Sequence, residues 1–165
     1  MKLYTALLLT AILLVSSCGF HLRGSQPASA SNLSRIVLTD SDASGVSNEV
    51  RILLESSGTV ISGTSPAPGY TLHLSDQSIT RSVLSVSAAT GKVEEYQLVF
   101  SVRMSVTDAE KNEVLSSQPI RVAHDYAFND EAVLGSVLEQ RTLEQELTRQ
   151  AASQIVRRLN AVTRD

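Results

Sequence analysis

Tryptophan is absent, cysteine occurs once, and four tyrosines with three phenylalanines make up the whole aromatic content. A single thiol excludes an internal disulfide framework and a thiolate metal site. So few rings argue against a free lipid carrier, which needs a large apolar cavity. No excess of positive charge exists either: 14 Lys and Arg stand against 17 Asp and Glu, a formal net charge of −3. Nucleic acid is therefore not an expected partner. Also missing are a glycine-rich phosphate loop, a His-Glu-x-x-His helix, a Gly-x-Ser-x-Gly elbow and any Cys/His cluster. His124 and Asp125 are neighbours, but adjacent residues on a strand point to opposite faces and cannot pair directly. His124 reads as a half-buried strand residue, and His73 as a strand surface residue. Glu94-Glu95 and the group Glu139, Glu144 and Glu146 read as solvated faces rather than catalytic carboxylate pairs. No enzymatic activity is expected, and no metal.

What is present begins with Lys2 and an apolar run from Leu3 to Val15, followed by Ser16, Ser17 and Cys18. The run falls short of the roughly 20 apolar residues that a membrane-spanning helix needs. It has the size and flanks of a secretory signal. Its small residues lead into the one cysteine, which is the pattern of a bacterial lipobox. Residues 1–17 are then a lipoprotein signal peptide. Cys18 is the lipid attachment site, with a diacylglycerol on its thiol and an acyl chain on its freed amine, and no other cofactor is expected. Loss of Lys2 lowers the basic count from 14 to 13 against 17 acidic residues, a net charge of −4. One acyl chain holds a protein only marginally, at about 0.8 kcal/mol per buried methylene, so the several chains of a lipoprotein make a lasting anchor. Gly19, rather than Asp, after the cysteine favours the outer membrane, with the domain in the periplasm.

Residues 18–32 read as a lipidated tether, small, polar and aperiodic from Gly24 to Asn32; 33–165 read as one α+β domain. Ile36-Val37-Leu38 is a buried strand entering a turn over Thr39–Asp42. Val46, Val50, Leu53 and Leu54 form one stripe of a helix, with Ser44 or Ser47 as its cap and Gly58 as its C-terminal left-handed residue. The segment up to Gly69 is loop-like, so strand, helix, loop and strand suggest a right-handed crossover. Tyr70, Leu72 and Leu74 alternate, and the apolar phase changes before Ile79 and Val83, which predicts a bulge. Residues 88–92 make a hairpin loop with Gly91 at positive φ. Tyr96, Leu98, Phe100, Val102, Met104 and Val106 give the clearest period-two signal, in a strand of about 50 Å, longer than most. Asp108–Asn112 turn the chain into a further strand through Ile120, Val122, His124 and Tyr126. Leu143, Leu147, Ala151, Ile155 and Leu159 then repeat every four residues along a last helix. This helix starts near Asn129-Asp130 with Gly135 inside it, and Arg157 and Arg158 suit the negative end of its dipole.

The order β-α-β-β-β-α predicts a two-layer sandwich, a four-stranded, mostly antiparallel sheet with two helices on one face. The other face, with Ser101, Arg103, Arg121, Ala123 and Ala127, is too polar for a second core. Arg81, Lys92, Arg103 and Arg121 fall on strands or at the hairpin, away from the helix layer. As a group on a lipoprotein they point to an anionic lipid, since Arg grips phosphate bidentately and Lys as a point charge.

Cys18-Gly19-Phe20-His21-Leu22-Arg23-Gly24 resembles the start of mature lipoproteins of the LptE family. Glu95-Tyr96-Gln97-Leu98 is similar to that family's Glu-Tyr-Gln strand motif, and residues 151–159 to its C-terminal helix signature. The resemblance runs through the chain in the same order, although residues 40–68 contribute little to it. It implies a subunit that plugs and helps assemble the outer-membrane β-barrel LptD, taking part in lipopolysaccharide delivery to the outer leaflet. The lipopolysaccharide-binding candidates are then Arg81, Lys92, Arg103 and Arg121. Family members can carry an arginine before the hairpin turn and a lysine early in the last helix, both linked to lipopolysaccharide. Ala89 and Ser136 hold those places here, with Lys92 close to the first. The rival reading is a pilotin or chaperone that escorts another outer-membrane protein without staying bound.

Overall fold

The computed structural model describes residues 33–62, 69–128 and 133–163, with side chains from Val137 onward in the last stretch. Cys18, the signal and tether, residues 63–68 and the Asn129-Asp130 cap lie outside the described residues. The elements are β1 (Arg35–Ser41), α1 (Ser44–Ser56), β2 (Val60–Ser62), β3 (Tyr70–Val86), β4 (Val93–Thr107), β5 (Glu113–Ala127) and α2 (Val133–Val162). They form a five-stranded sheet in the order β2-β1-β3-β4-β5.

The sheet corrects the expectation of four mostly antiparallel strands in two respects. The extra strand is β2, whose three residues, Val60, Ile61 and Ser62, pair in parallel with Arg35, Ile36 and Val37. Three residues are too few for any periodicity to register. The sheet is also mixed: β1 lies parallel to both β2 and β3, while β3-β4-β5 is an antiparallel meander. Strand β1 outlasts its apolar run because Thr39, Asp40 and Ser41 find parallel partners in His73, Leu74 and Ser75. The turn comes only at Asp42, at φ +57°.

Both helices pack on one face of the sheet. Val46, Val50 and Leu54 of α1 and Leu147, Ala151, Ile155 and Leu159 of α2 join Leu72, Leu74, Leu98, Phe100 and Met104 in one buried core. The helical and alternating stripes of the sequence are the two halves of this contact. Helix α2 begins ahead of Gly135 and carries it inside its first turn. Gly58, at φ +86°, ends α1; its N–H donates to Glu55 O, and the N–H of Thr59 to Leu54 O, each at 3.0 Å.

The start of α1 differs from expectation. Ala43 is the cap position, and neither Ser44 nor Ser47 closes it. The N–H of Val46 instead donates to Oε1 of Gln77, 31 residues on in β3, at 3.0 Å. Gln77 reaches the helix because β3 bulges there: the register with β4 slips between Ser75 and Ser78, and Asp76 sits at φ +54°. Gly45 makes room, since a Cβ on it would lie 3.1 Å from Nε2 of Gln77. The phase change read from Leu74 and Ile79 is this bulge.

Beyond it the β3–β4 hairpin continues to a loop closed by Ser87 N–H to Lys92 O at 2.8 Å, with Gly91 at φ +68°. The β4–β5 turn is held by Asp108, whose two carboxylate oxygens accept from the backbone N–H and side-chain amide of Asn112 at 2.7 and 2.9 Å. Strand β5 is an edge and carries Pro119 at its centre, opposite Arg103. A residue without an N–H is tolerated in a sheet at such an edge, where that position faces away from the ladder.

Candidate functional site

The distinctive surface is the sheet face turned away from the helices. Ser75, Ser78, Thr80 and Ser82 of β3 lie across from Arg103, Ser101, Val99 and Gln97 of β4. These side chains are half-exposed or exposed, and no helix among the described residues covers them. Hydroxyls dominate because alternation sends Leu98, Phe100, Val102, Met104 and Val106 of β4 into the core, leaving the other register to face water. Gln97 Nε2 donates to Asp125 Oδ1 at 2.8 Å, and Thr39 Oγ1 lies 3.1 Å from Nδ1 of His73. The result is a broad, self-satisfied polar wall rather than a pocket.

The four cations expected to act together are split. Arg103 lies on the open face, where its Nε donates to Ser117 Oγ at 3.1 Å and approaches Asp76 Oδ2 at 4.0 Å. Arg121 shares that face, opposite Ser101 in the ladder. Lys92 sits at the hairpin loop, at the far end of the same sheet. Arg81 departs from expectation and faces the helix layer. Its partner in the ladder is Leu98, a core residue; its Nη1 donates to Gln140 Oε1 of α2 at 3.0 Å, and its guanidinium carbon stands 4.6 Å from the Tyr96 ring centre. The physical reason is the extra residue of the bulge, which exchanges the two faces of β3 from that point on.

Arg81 thus belongs to a cluster that sequence reasoning missed. Tyr96 stacks on Tyr126 at 5.9 Å between ring centres and meets Phe128 edge-on at 5.2 Å. Gln140 links the group to α2, accepting from the Tyr126 hydroxyl at 3.4 Å and donating to Glu144 Oε1 at 2.8 Å. The available signal was the shared parity of Tyr96, Tyr126 and Phe128 with the core registers. His124, expected to be half-buried, is exposed, because β5 is the outermost strand there.

Among the described residues no group of three His, Cys, Asp or Glu side chains converges in a way that could hold a metal ion. No helix among them is long and apolar enough to cross a membrane. The Asp108 carboxyl is held below the usual aspartate range, first by the Asn112 side-chain amide and further by backbone N–H donors, against the opposing effect of desolvation.

Residues 30–159 match the sequence family described as LptE, lipopolysaccharide-assembly. The LPS-assembly lipoprotein LptE of Pectobacterium atrosepticum is 32% identical over 160 residues, spanning 96% of this chain and 85% of its own length. The protein of the same name from Photorhabdus laumondii is 32% identical over 164 residues, spanning 98% and 87%. Among solved structures, the rare lipoprotein B of Shewanella oneidensis superposes with a TM-score of 0.68 at 26% identity, covering 77% of this chain and 94% of that one. An uncharacterized lipoprotein B from Nitrosomonas europaea shares the fold with a TM-score of 0.73 at 24% identity, over 88% and 92% of the two chains. The fold is thus one seen in other lipoproteins, and the chain belongs to the LptE family.

Proposed function

We propose that this protein is a non-enzymatic lipoprotein of the outer membrane that takes part in lipopolysaccharide assembly by plugging and helping to assemble the LptD β-barrel. Acyl chains on Cys18 tether it there, on the periplasmic side, with the domain within the lumen. The observation that carries the reading is the family match over residues 30–159, joined to curated relatives named for lipopolysaccharide assembly. The surface suits the role. A barrel lumen is polar, so its occupant needs a wall whose donors and acceptors are already satisfied or wetted. The hydroxyl-rich sheet face is such a wall, and the hairpin around Gly91 is the part that would reach furthest into the lumen.

Lipopolysaccharide contact on this reading draws on Arg103 and Arg121 of the open face and Lys92 at the hairpin. Arg81 contributes only if it exchanges its Gln140 and Tyr96 contacts for a phosphate. Purification of the tagged full-length chain through detergent tests the central point: a stoichiometric outer-membrane barrel should remain bound. A chain recovered alone from wild-type envelopes overturns the plug and leaves the transient escort. Cys18→Ala should release the protein into the periplasm, and membrane attachment unchanged in that variant contradicts the anchor. Photocrosslinking from positions 81, 92, 103 and 121 in cells tests the cations; capture no greater than from an α2 control position removes them from the reading.

A further inference from the structure

Strand β3 outlasts its neighbour. Strand β1 runs beside it only from Ile36, opposite Tyr70, to Ser41, opposite Ser75, and then turns off at Asp42 toward α1. Past the bulge, β3 continues to Val86 with β4 on one side and, among the described residues, no strand on the other. From Ser78 to Val83 it holds an unbroken antiparallel register with β4, from Ser101 to Tyr96, and these β3 residues are all exposed. In such a pair the N–H and C=O of every second residue point away from the partner strand. A stretch of about 20 Å therefore offers backbone donors and acceptors to whatever lies beside it.

Proteins guard an open edge of this kind by brevity, with proline or with charge. Strand β2 is three residues long, and β5 carries Pro119. The free stretch of β3 has neither device. It contains no proline or glycine, and Arg81 is the only charged residue between Asp76 and Lys92. That arginine leans away from the free side, over Tyr96 of β4 and on to Gln140. Helix α2 packs on β4 and β5 and leaves the outer side of β3 clear. Ile79 and Val83, opposite Phe100 and Tyr96, face the helix layer, yet both remain exposed.

We infer that residues 78–83 take up an extended segment of the barrel subunit as a sixth strand, in the line that a longer β1 would fill. The inference rests on the barrel reading above. Only an extended backbone presents its groups at the spacing of this row, so the partner's conformation is selected before its side chains. Side chains then set the pattern: apolar residues beside Ile79 and Val83, alternating with polar ones beside Ser78, Thr80 and Ser82. A partner built of strands carries such alternation along its length. The strands of a closed barrel have no free edge, so the segment lies outside the barrel's own ladder. The Asp42 turn stops it at one end, and the slip of register between Val83 and Ser85 at the other.

Residue-resolved hydrogen exchange on the full-length lipoprotein, alone and co-purified with its barrel, tests the pairing. Within 78–83 every second amide should exchange freely in the chain alone and about a hundredfold more slowly in the complex. Photocrosslinking from positions 78, 80 and 82 in cells identifies the segment. The captured residues should belong to one stretch of the barrel chain and step along it by two for each such move on β3. A contact through side chains alone leaves the amides fast and the captured sites without order, and overturns the inference. Amides already slow in the lipoprotein alone mean that the edge pairs within this chain or with a second copy of it, and overturn it as well. A barrel recovered while 78–83 still exchange freely removes this inference and leaves the proposed function standing. If no barrel is recovered, the proposed function itself fails.

Discussion

At the tether end of the sheet Leu72, Leu74, Met104 and Val106 are fully buried beneath two helices, while beyond the Asp76 bulge β3 leaves Ile79, Val83 and Val86 37–54% exposed. The residue types and their alternation hardly change between the two ends. What changes is the cover. Apolar burial holds the first end, a contribution on the order of 25 cal/mol for each square ångström removed from water. The hairpin end relies on individual contacts, chiefly Arg81 over Tyr96 and the Gln140 bridge to α2. Such contacts are worth about 0.5–1 kcal/mol apiece where water still reaches them. A strand pair can therefore outrun its core and stay ordered, but with little in reserve.

The largest expected effect is that of Phe100→Ala, which removes the largest fully buried side chain from the core that both helices cover. It should cost about 3–5 kcal/mol, read as a lowered urea midpoint for the whole domain. Gln77→Ala strikes the boundary between the ends by taking the side-chain acceptor from the start of α1. A loss of about 1 kcal/mol is expected, as for other helix caps, with faster amide exchange in the first turn of α1. Arg81→Ala should cost less globally, about 0.5–1 kcal/mol, yet accelerate exchange in the hairpin and at the start of α2 while the core amides stay protected. Uniform acceleration across the sheet would erase the distinction drawn here. Asp108→Asn should have the smallest effect, a slight loss at neutral pH that disappears in acid. The folded carboxyl is depressed, so the wild-type turn gains stability above the unfolded aspartate value of about 3.9 and loses it as pH falls through the lower folded value. The variant, whose side chain is uncharged like the protonated acid, should flatten that part of the stability profile and converge with the wild type at low pH.

Particular residues explain how much of this was legible beforehand. The alternation from Tyr96 to Val106 and the four-residue spacing from Leu143 to Leu159 each report one buried face, and both faces are in the core or packed against it. Strand β2 left no trace because its three residues owe their conformation to β1, not to their own pattern. The Gln77 cap joins positions 31 residues apart and leaves no local mark. Arg81 is the instructive case. The phase change was visible in Ile79 and Val83, and carrying it forward turns Arg81 toward the helices. Counting on from Leu74 without the extra residue turns it outward. The candidate surface was legible as polarity but not as partnership: serines and arginines on one register predict a wet face, while the contacts that occupy Arg81 and Arg103 come from other elements. Cys18 was read from its neighbours and lies outside the described residues.

The margins of the sheet carry one more consequence. One is only three residues long, and the other is broken at its middle by an imino acid. A neighbouring extended chain thus finds no continuous row of amides at either margin on which to zip itself. For a protein whose proposed companion is built wholly of strands, this matters: away from the open stretch of β3 the two can lie side by side without fusing into one ladder, and recognition between them is left to side chains.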